Sequence, residues 1–265
     1  MTHFPQHEYI TAAQHYALGG DGTRIAYWIS GSGPALLLIS GQAVTHTSWQ
    51  RVANRMPGHT VIALDHRGTG QSDKGDWKQY STRLFADDAW RVLAHAGFER
   101  ADVFGHSMGG RVAQWLAYDH PEAVNRLVLA ATTMHDGSGE PRSILADEAL
   151  RSGKLSRLRS VFFLPQDADS INLFHITEDK DARIGHFRAS KRHDTREIAP
   201  HITAPTLVLH GKLDELTRPS HGEALAHAIP YARKAIIKQD LHGTLIDGGT
   251  GLSIARQFLE VSPAR

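Results

Sequence analysis

The sequence predicts an α/β fold with a mostly parallel sheet flanked by helices, and two features of the chain lead to this prediction. Short apolar runs without polar alternation recur along it, as expected of strands that are covered on both faces. Helical patterns lie between these runs, so that strands and helices alternate. With 265 residues, 41% of them hydrophobic, the chain can bury one sizeable core. This length predicts one domain with an insertion, or at most two domains.

The strands are predicted from short apolar segments that end at turn residues. Residues 24–30 alternate and then meet Gly31 to Pro34, which indicates a strand followed by a turn. Further strands, almost continuously apolar, are predicted over residues 35–39, 61–64, 101–104, 127–131, 205–209 and 235–237.

The helices are predicted from apolar residues at helical spacing between the strands. Over residues 82–96 these residues fall on one face, Ser81 or Thr82 can cap the start, and Gly97 suits the end. Other helices are predicted to open after the glycine-rich segment 105–110, to begin near Pro219 and to cover roughly residues 249–260.

The alternation stops between residues 133 and 200. This stretch is rich in charged residues and has weak periodicity, and it is too long for an ordinary loop. It is therefore predicted to be an insertion within one domain. Its Arg and Lys residues are matched by nearby Asp and Glu, which indicates a solvated face. Its aromatic side chains either line an apolar pocket or pack the insertion onto the core: Phe162, Phe163, Phe174 and Phe187.

Composition excludes several classes of function. Lys plus Arg number 29 against 28 for Asp plus Glu, so the net charge of +1 gives no electrostatic case for nucleic acid or an anionic membrane. Cysteine is absent, which excludes disulfides, thiolate nucleophiles and cysteine-based metal sites. The 18 histidines show no helical ligand pairing, so no metal or cofactor is expected. The polar start of the chain and the shortness of its longest apolar run, 35–39, predict a soluble, cytoplasmic protein that acts on a small molecule.

The strongest local signal is the segment Gly105-His106-Ser107-Met108-Gly109-Gly110. It follows a predicted strand and opens a predicted helix. This G-x-S-x-G pattern suits a serine on a tight, strained strand-to-helix turn, because Gly105 and Gly109 leave room for the turn. The amino end of the helix would favour negative charge that develops beside Ser107. The pattern therefore predicts that Ser107 is a nucleophile.

A serine hydroxyl needs a base to take its proton, and the base needs an orienting carboxylate. Asp214 lies just past the end of the strand 205–209, where catalytic groups gather in open α/β sheets, and it is the predicted acid. Glu215 is the adjacent alternative, whereas Asp194 or Asp240 would need an improbable geometry.

The predicted base is His242. It follows the strand 235–237 by a short loop and precedes Gly243 and the last helix, which places it at the same sheet edge as the serine. His106, next to the serine in sequence, points in a different direction from the turn and is interpreted as a packing neighbour. His210 and His201 are weaker candidates.

The oxyanion that forms when a carbonyl is attacked needs hydrogen-bond donors. One is expected to be the backbone N–H of Met108, the residue after the nucleophile. The other should come from the loop after an early strand. Ser40-Gly41-Gln42-Ala43 follows the strand 35–39 at that place, so the backbone N–H of Gln42 is the second predicted donor.

Taken together, these segments resemble the α/β-hydrolase superfamily over nearly the whole chain outside residues 133–200. Residues 65–73 are similar to the family's D-x-R-G-x-G-x-S loop, which braces the site, and residues 205–214 are similar to its P-T-L-V-x-x-G-x-x-D segment. The family's chain order of serine, acid and histidine is also present. Two departures are visible: Leu241 stands where a glycine usually precedes the histidine, and Ser40-Gly41 stands where many members have His-Gly.

The resemblance implies an α/β-hydrolase fold with a core of residues 1–132 and 201–265 and a cap of residues 133–200 that lies over the pocket. In length and motifs, the chain resembles small bacterial carboxylesterases and enol-lactone hydrolases. Because the nucleophile position holds Ser107, relatives that use an Asp nucleophile, such as haloalkane dehalogenases and epoxide hydrolases, are excluded. The expected function is cleavage of a carboxylic ester, lactone or thioester through an acyl-enzyme.

Two other functions are compatible with the same residues. One is hydrolysis of a C–C bond, or cofactor-free oxygenation, on the same triad. The other is a small-molecule receptor with the same fold, because fold alone does not determine function.

Overall fold

The computed structural model describes residues 13–260, and within them a single eight-stranded sheet runs through the molecule in the order β1-β2-β4-β3-β5-β6-β7-β8. β1 pairs antiparallel with β2, and β2 pairs antiparallel with β4, whereas all other neighbours are parallel. The predicted mostly parallel sheet is therefore confirmed. The strands are β1 (Ala13–Leu18), β2 (Arg24–Gly31), β3 (Ala35–Ile39), β4 (Thr60–Leu64), β5 (Ala101–His106), β6 (Val124–Ala130), β7 (Thr206–Gly211) and β8 (Ala232–Ile237).

Helices cover both faces of the sheet, as predicted. Ser81 caps α2 by accepting a hydrogen bond from the Leu84 backbone N–H at 3.0 Å, and Gly97 follows the helix with φ of +84°. The helices are α1 (Gln50–Ala53), α2 (Thr82–His95), α3 (Met108–Asp119), α4 (Ile144–Ser152), α5 (Leu155–Phe162), α6 (Lys180–Lys191), α7 (Pro219–Ala228) and α8 (Thr250–Glu260). None of the helices within residues 13–260 combines the length and apolar character needed to cross a membrane.

The central strands are apolar throughout because each of their faces packs on a different core. Along β3, Leu37 and Ile39 enter the core that α2 and α3 cover, while Leu36 and Leu38 enter the core on the opposite face. Side chains alternate between the faces of a strand, so a strand covered on both sides must be continuously apolar. This is the physical basis of the sequence signal.

Four of the parallel strands, β3, β5, β7 and β8, lead at their carboxyl ends into the segments that form the candidate site. The chain leaves β3 at Ile39, β5 at His106, β7 at Gly211 and β8 at Ile237. Because the carboxyl ends of parallel strands meet, the four segments that follow these strands come together despite their separation in sequence.

Two parts of the structure were not predicted from the sequence. β1 is an edge strand whose Tyr16 and Leu18 are exposed, so it lacks the apolar run that marks the buried strands. Residues 133–200, which lie between β6 and β7, contain three helices, α4 to α6, and the sequence predicted no element there. α4 and α5 are short, at 9 and 8 residues, and α6 buries small residues and a histidine in place of large apolar side chains, which explains the weak periodicity.

Candidate active site

Ser107 occupies a strained turn between β5 and α3, as the G-x-S-x-G pattern predicts. Its backbone has φ of +55° and ψ of −120°, a conformation that L-residues rarely adopt. Two hydrogen bonds hold it there: its N–H donates to the Ala130 carbonyl at 2.9 Å, and Thr132 Oγ1 donates to its carbonyl at 2.7 Å. A Cβ on Gly105 would overlap the Gly109 carbonyl, and one on Gly109 would overlap the Ile39 carbonyl. The turn therefore requires both glycines.

His242 lies between Ser107 and Asp214. Its Nε2 is 2.9 Å from Ser107 Oγ, and its Nδ1 is 2.8 Å from Asp214 Oδ2. An ionised carboxylate can only accept a hydrogen bond, so Nδ1 carries the proton and Nε2 is left as the acceptor for the serine hydroxyl. The imidazole is fully buried, whereas Ser107 is half-buried and lines the cavity.

Asp214 is buried, and each of its carboxylate oxygens has a partner. Oδ2 accepts from His242, while Oδ1 accepts from the backbone N–H groups of Leu216 at 2.8 Å and Thr217 at 2.9 Å. Burial alone would raise the pKa of Asp214, but the adjacent His242 and the backbone donors outweigh it and leave the pKa below its usual range. The group is therefore an anion at neutral pH, as an orienting acid must be.

The alternative acids lie apart from the imidazole. Glu215 is exposed, and Asp194 pairs with Arg196 at 2.6 Å. Asp240 is near Asp167 and Asp247, and burial together with those charges raises its pKa to about 6.

The alternative bases have other partners. His106 Nε2 donates to the His242 carbonyl at 2.8 Å, and His210 Nε2 donates to the Thr217 carbonyl at 3.1 Å. Burial lowers the pKa of His106 to about 3 and that of His210 to about 4, so both are neutral supports of the loops that carry His242 and Asp214. His201 is exposed on a short 3₁₀ turn.

The two predicted oxyanion donors lie beside the serine. Met108 is the first residue of α3, so its backbone N–H has no acceptor within the helix. Gly41 approaches so closely that a Cβ there would be 3.5 Å from Ser107 Cβ, and Gln42 lines the same cavity as the serine. Ala43, the next residue, has φ of +58°.

Two buried histidines support this loop, and the sequence analysis did not identify them. His66 Nε2 donates to the Ser40 carbonyl at 3.1 Å. His186, in α6, accepts from the Ala43 backbone N–H through Nδ1 at 3.3 Å, while its Nε2 donates to the Arg67 carbonyl at 2.8 Å. Burial lowers the pKa of His66 to about 4 and that of His186 to about 3, so both are neutral.

A sequence signal for His186 does exist. It lies on the face of α6 that carries the small buried residues Ala182, Gly185 and Ala189. A Cβ on Gly185 would lie only 2.6 Å from the Tyr80 ring, which shows how closely this face approaches the core. A polar residue among small ones on one helix face indicates a buried hydrogen bond at a close contact.

The loop of residues 65–73 braces the site, as its motif implies. Arg67 is buried and bonds Asp88 at 2.6 and 2.8 Å, and it also bonds the exposed Asp21. Asp65 accepts from the backbone N–H groups of His46 at 2.8 Å and Gln71 at 3.0 Å. These bonds hold the loop in place, and the Arg67 carbonyl of this loop accepts the hydrogen bond from His186.

A cavity of about 660 Å³ opens above Ser107, between the sheet edge and residues 133–200. Phe162, Phe174 and Phe187 line it, while Phe163 packs beside Gly243. Most Arg and Lys side chains of residues 133–200 are exposed, as expected, but several of them also line the cavity, which the sequence did not predict. Within residues 13–260, no group of three or more His, Asp or Glu side chains is arranged to hold a metal ion.

Comparison with known proteins identifies the family of the chain. The family model for the alpha/beta hydrolase fold matches residues 34–186. The chain belongs to this family. As an alpha/beta hydrolase it is similar to the inferred carbamate hydrolase RutD of Azorhizobium caulinodans, with 30% identity over 247 residues that cover 86% of this chain and 91% of the relative.

Two further matches to this alpha/beta hydrolase differ in how much of each chain they cover. An uncharacterized protein of Mycobacterium tuberculosis is 42% identical over 111 residues, but the match covers 42% of this chain and about a third (32%) of that relative's length. The crystal structure of an enol-lactonase from Burkholderia xenovorans superposes with a TM-score of 0.79, at 23% identity, over 93% of this chain and 100% of the other. At that identity the superposition shows the shared fold.

Proposed function

We propose that this hydrolase is a serine hydrolase that cleaves a carboxylic ester, lactone or thioester of a small organic substrate through an acyl-enzyme. The observation that supports the proposal best is the chain of hydrogen bonds from Ser107 through His242 to Asp214, at the floor of a cavity of about 660 Å³. This arrangement suits attack of a hydroxyl on a carbonyl.

In the proposed reaction, Ser107 Oγ attacks the carbonyl carbon while His242 Nε2 takes the hydroxyl proton. The ionised Asp214 stabilises the imidazolium that forms. The backbone N–H groups of Gln42 and Met108 hold the oxyanion. His242 then gives its proton to the leaving group, and the C–O or C–S bond breaks to leave the acyl group on Ser107. Water, deprotonated by His242, releases the acid and restores the serine.

The 133–200 segment is proposed to act as the cap that selects the substrate. Its side chains form the wall of the cavity that faces Ser107, with Phe162 and Phe174 among its apolar members. The proposed core, residues 1–132 and 201–265, supplies the reacting groups.

The proposal is tested with a series of p-nitrophenyl esters from acetate to octanoate, together with a p-nitrophenyl carbamate, because one relative carries the name of a carbamate hydrolase. We expect wild-type protein to release p-nitrophenol from the esters and Ser107→Ala to lose this activity. Labelling by a fluorophosphonate, detected as a mass increase on Ser107, would report the activated serine independently of the substrate.

The matched control is Ser160→Ala, because Ser160 is an exposed serine of α5. It should keep wild-type turnover and labelling. If a folded wild-type protein neither hydrolyses any of these compounds nor reacts with the fluorophosphonate, the proposed function is wrong.

A further inference from the structure

The cavity above Ser107 is asymmetric in charge. Of the described residues that line it, seven are basic and one, Asp136, is acidic. The whole chain carries a net charge of only +1, so this concentration of positive charge is local. A charged wall around a concave site raises the local concentration of ligands of opposite charge.

Most of the basic residues come from one face of α6. Lys180, Arg183, Phe187, Arg188 and Lys191 line the cavity at spacings of three and four residues. Residues at this spacing share one face of a helix, so α6 presents a stripe of cations with an aromatic ring among them. The opposite face of the helix carries the small residues that approach the core.

The cations differ in how well they are paired. Arg111 and Lys191 share Asp136, at 2.9 and 3.1 Å, and Arg151 bonds Asp147 at 2.5 Å. Arg142 reaches the same Asp147 only at 3.9 Å. Asp136 and Asp147 therefore pair with four of the seven cations.

Arg183 is the cation whose charge is least compensated. It is half-buried, and within residues 13–260 no carboxylate pairs with it. Its guanidinium lies against Gly153, where a Cβ would be 3.1 Å from an Nη atom, so the absence of a side chain leaves room for it. Lys180 and Arg188 also lack a carboxylate in this part of the chain, but both are exposed, and water screens their charge. A half-buried, unpaired guanidinium in a cavity is suited to bind a carboxylate in two-pronged geometry.

We propose that the substrate carries an anionic group, a carboxylate, in addition to the group that Ser107 attacks, and that Arg183 is the residue that binds it. This inference rests on the proposed function and narrows its substrate class to anionic esters, lactones or thioesters. The apolar residues of the cavity, such as Phe162 and Phe174, then hold the carbon chain between the two ends.

The test compares p-nitrophenyl hydrogen adipate with its neutral methyl ester, since the two substrates differ in one charge. We expect wild-type protein to prefer the anionic ester in kcat/KM. Arg183→Met should raise KM for that ester by about tenfold or more, the size typical of a hydrogen bond to a charged group, and change KM for the neutral ester by much less. Arg183→Lys should keep part of the preference.

The matched control is Arg157→Met. Arg157 is an exposed arginine of α5 that does not line the cavity, so its replacement removes the same charge elsewhere. It should leave the preference unchanged. Equal turnover of both esters by wild-type protein would overturn the proposal. So would the same ratio in Arg183→Met, or an equal loss in Arg157→Met, which would mean that the positive charge acts diffusely.

Binding of adipate to Ser107→Ala, followed by calorimetry, separates this proposal from the proposed hydrolysis. If the esters are not hydrolysed but adipate binds and Arg183→Met abolishes the binding, the hydrolase proposal fails and the anion site stands. If the esters are hydrolysed and adipate binds equally with and without Arg183, the anion site fails alone.

Discussion

The sheet edge behind Ser107 and the wall of the cavity that faces it differ in how their polar side chains are paired. On the sheet edge, Asp214 and His242 are buried and each polar atom of their side chains is hydrogen-bonded. On the facing wall, Arg183 and its neighbours on α6 are half-buried or exposed and incompletely paired. A buried charge needs partners because its desolvation is otherwise unfavourable, whereas a solvated charge does not.

This difference indicates which side chains can be replaced without disturbing the fold. A substitution on the sheet edge disturbs a network that also holds the fold together, so this wall is constrained by stability as well as by chemistry. A substitution on the facing side of α6 changes the charge and shape of the cavity while the buried face of the helix stays in place. The proposed chemistry and the proposed substrate choice are therefore separable, and the following changes test that separation.

The largest expected effect is that of Asp214→Asn. An amide NH₂ in place of the carboxylate can hold the imidazole in the other tautomer, with the proton on Nε2, which then cannot accept from Ser107. We expect kcat for ester hydrolysis to fall by about 10⁴-fold. The adjacent Glu215→Gln, at an exposed residue, should keep wild-type kcat. The reverse result would make Glu215 the acid.

Two arginines from the two regions should differ in their effect on stability. Arg67→Met leaves the buried Asp88 without its partner and should lower the free energy of unfolding by about 3–5 kcal/mol. Arg183→Met should change it by less than about 0.5 kcal/mol, because no ion pair is lost. Urea unfolding at pH 7 measures both values. Similar losses in the two variants would contradict the contrast between the walls.

Acid should destabilise the fold through four buried histidines, three of them at the sheet edge and one, His186, on the buried face of α6. The pKa values of His66, His106, His186 and His210 are lowered to about 3 or 4 in the folded protein, against about 6.5 when unfolded. The unfolded chain therefore binds more protons below pH 6.5, so stability is present above that pH and is lost as the pH falls. At pH 5 the loss is about 2 kcal/mol for each such histidine.

Urea unfolding at pH 7, 6 and 5 measures this loss. A free energy of unfolding that stays constant from pH 7 to pH 5 would show that these histidines are not held neutral by burial.

A smaller effect is expected where the two walls meet, at His186. His186→Gln can keep a donor to the Arg67 carbonyl but removes the acceptor for the Ala43 N–H, whereas His186→Asn can keep that acceptor and removes the donor. If the bond to Ala43 positions the predicted oxyanion loop, His186→Gln should lower kcat by roughly tenfold with KM unchanged. His186→Asn should retain more activity. If both variants lost activity equally, and in proportion to their loss of stability, His186 would act through packing alone.

Much of this fold could be predicted because its signals are local. The continuous apolar runs of β3, β4, β5 and β7 follow from burial of both strand faces, and the glycines around Ser107 follow from a turn that excludes side chains. Asp214 and His242 could be predicted because each closely follows a strand, and parallel strands end at one edge. β1 was missed because an exposed edge strand needs no apolar run. α4 and α5 were missed because they are short, and α6 because its buried face carries small residues and a histidine.

The sequence by itself determined that strands and helices alternate. It also determined which residues follow the parallel strands and therefore lie at one edge of the sheet. The tertiary structure alone decided which further segments join them there. His186 bonds Ala43 across 143 residues, and the basic stripe of α6 faces the cavity instead of solvent. Neither follows from local pattern, because hydrogen bonds and burial depend on how the chain packs, whereas periodicity reports only that one face of an element will be covered.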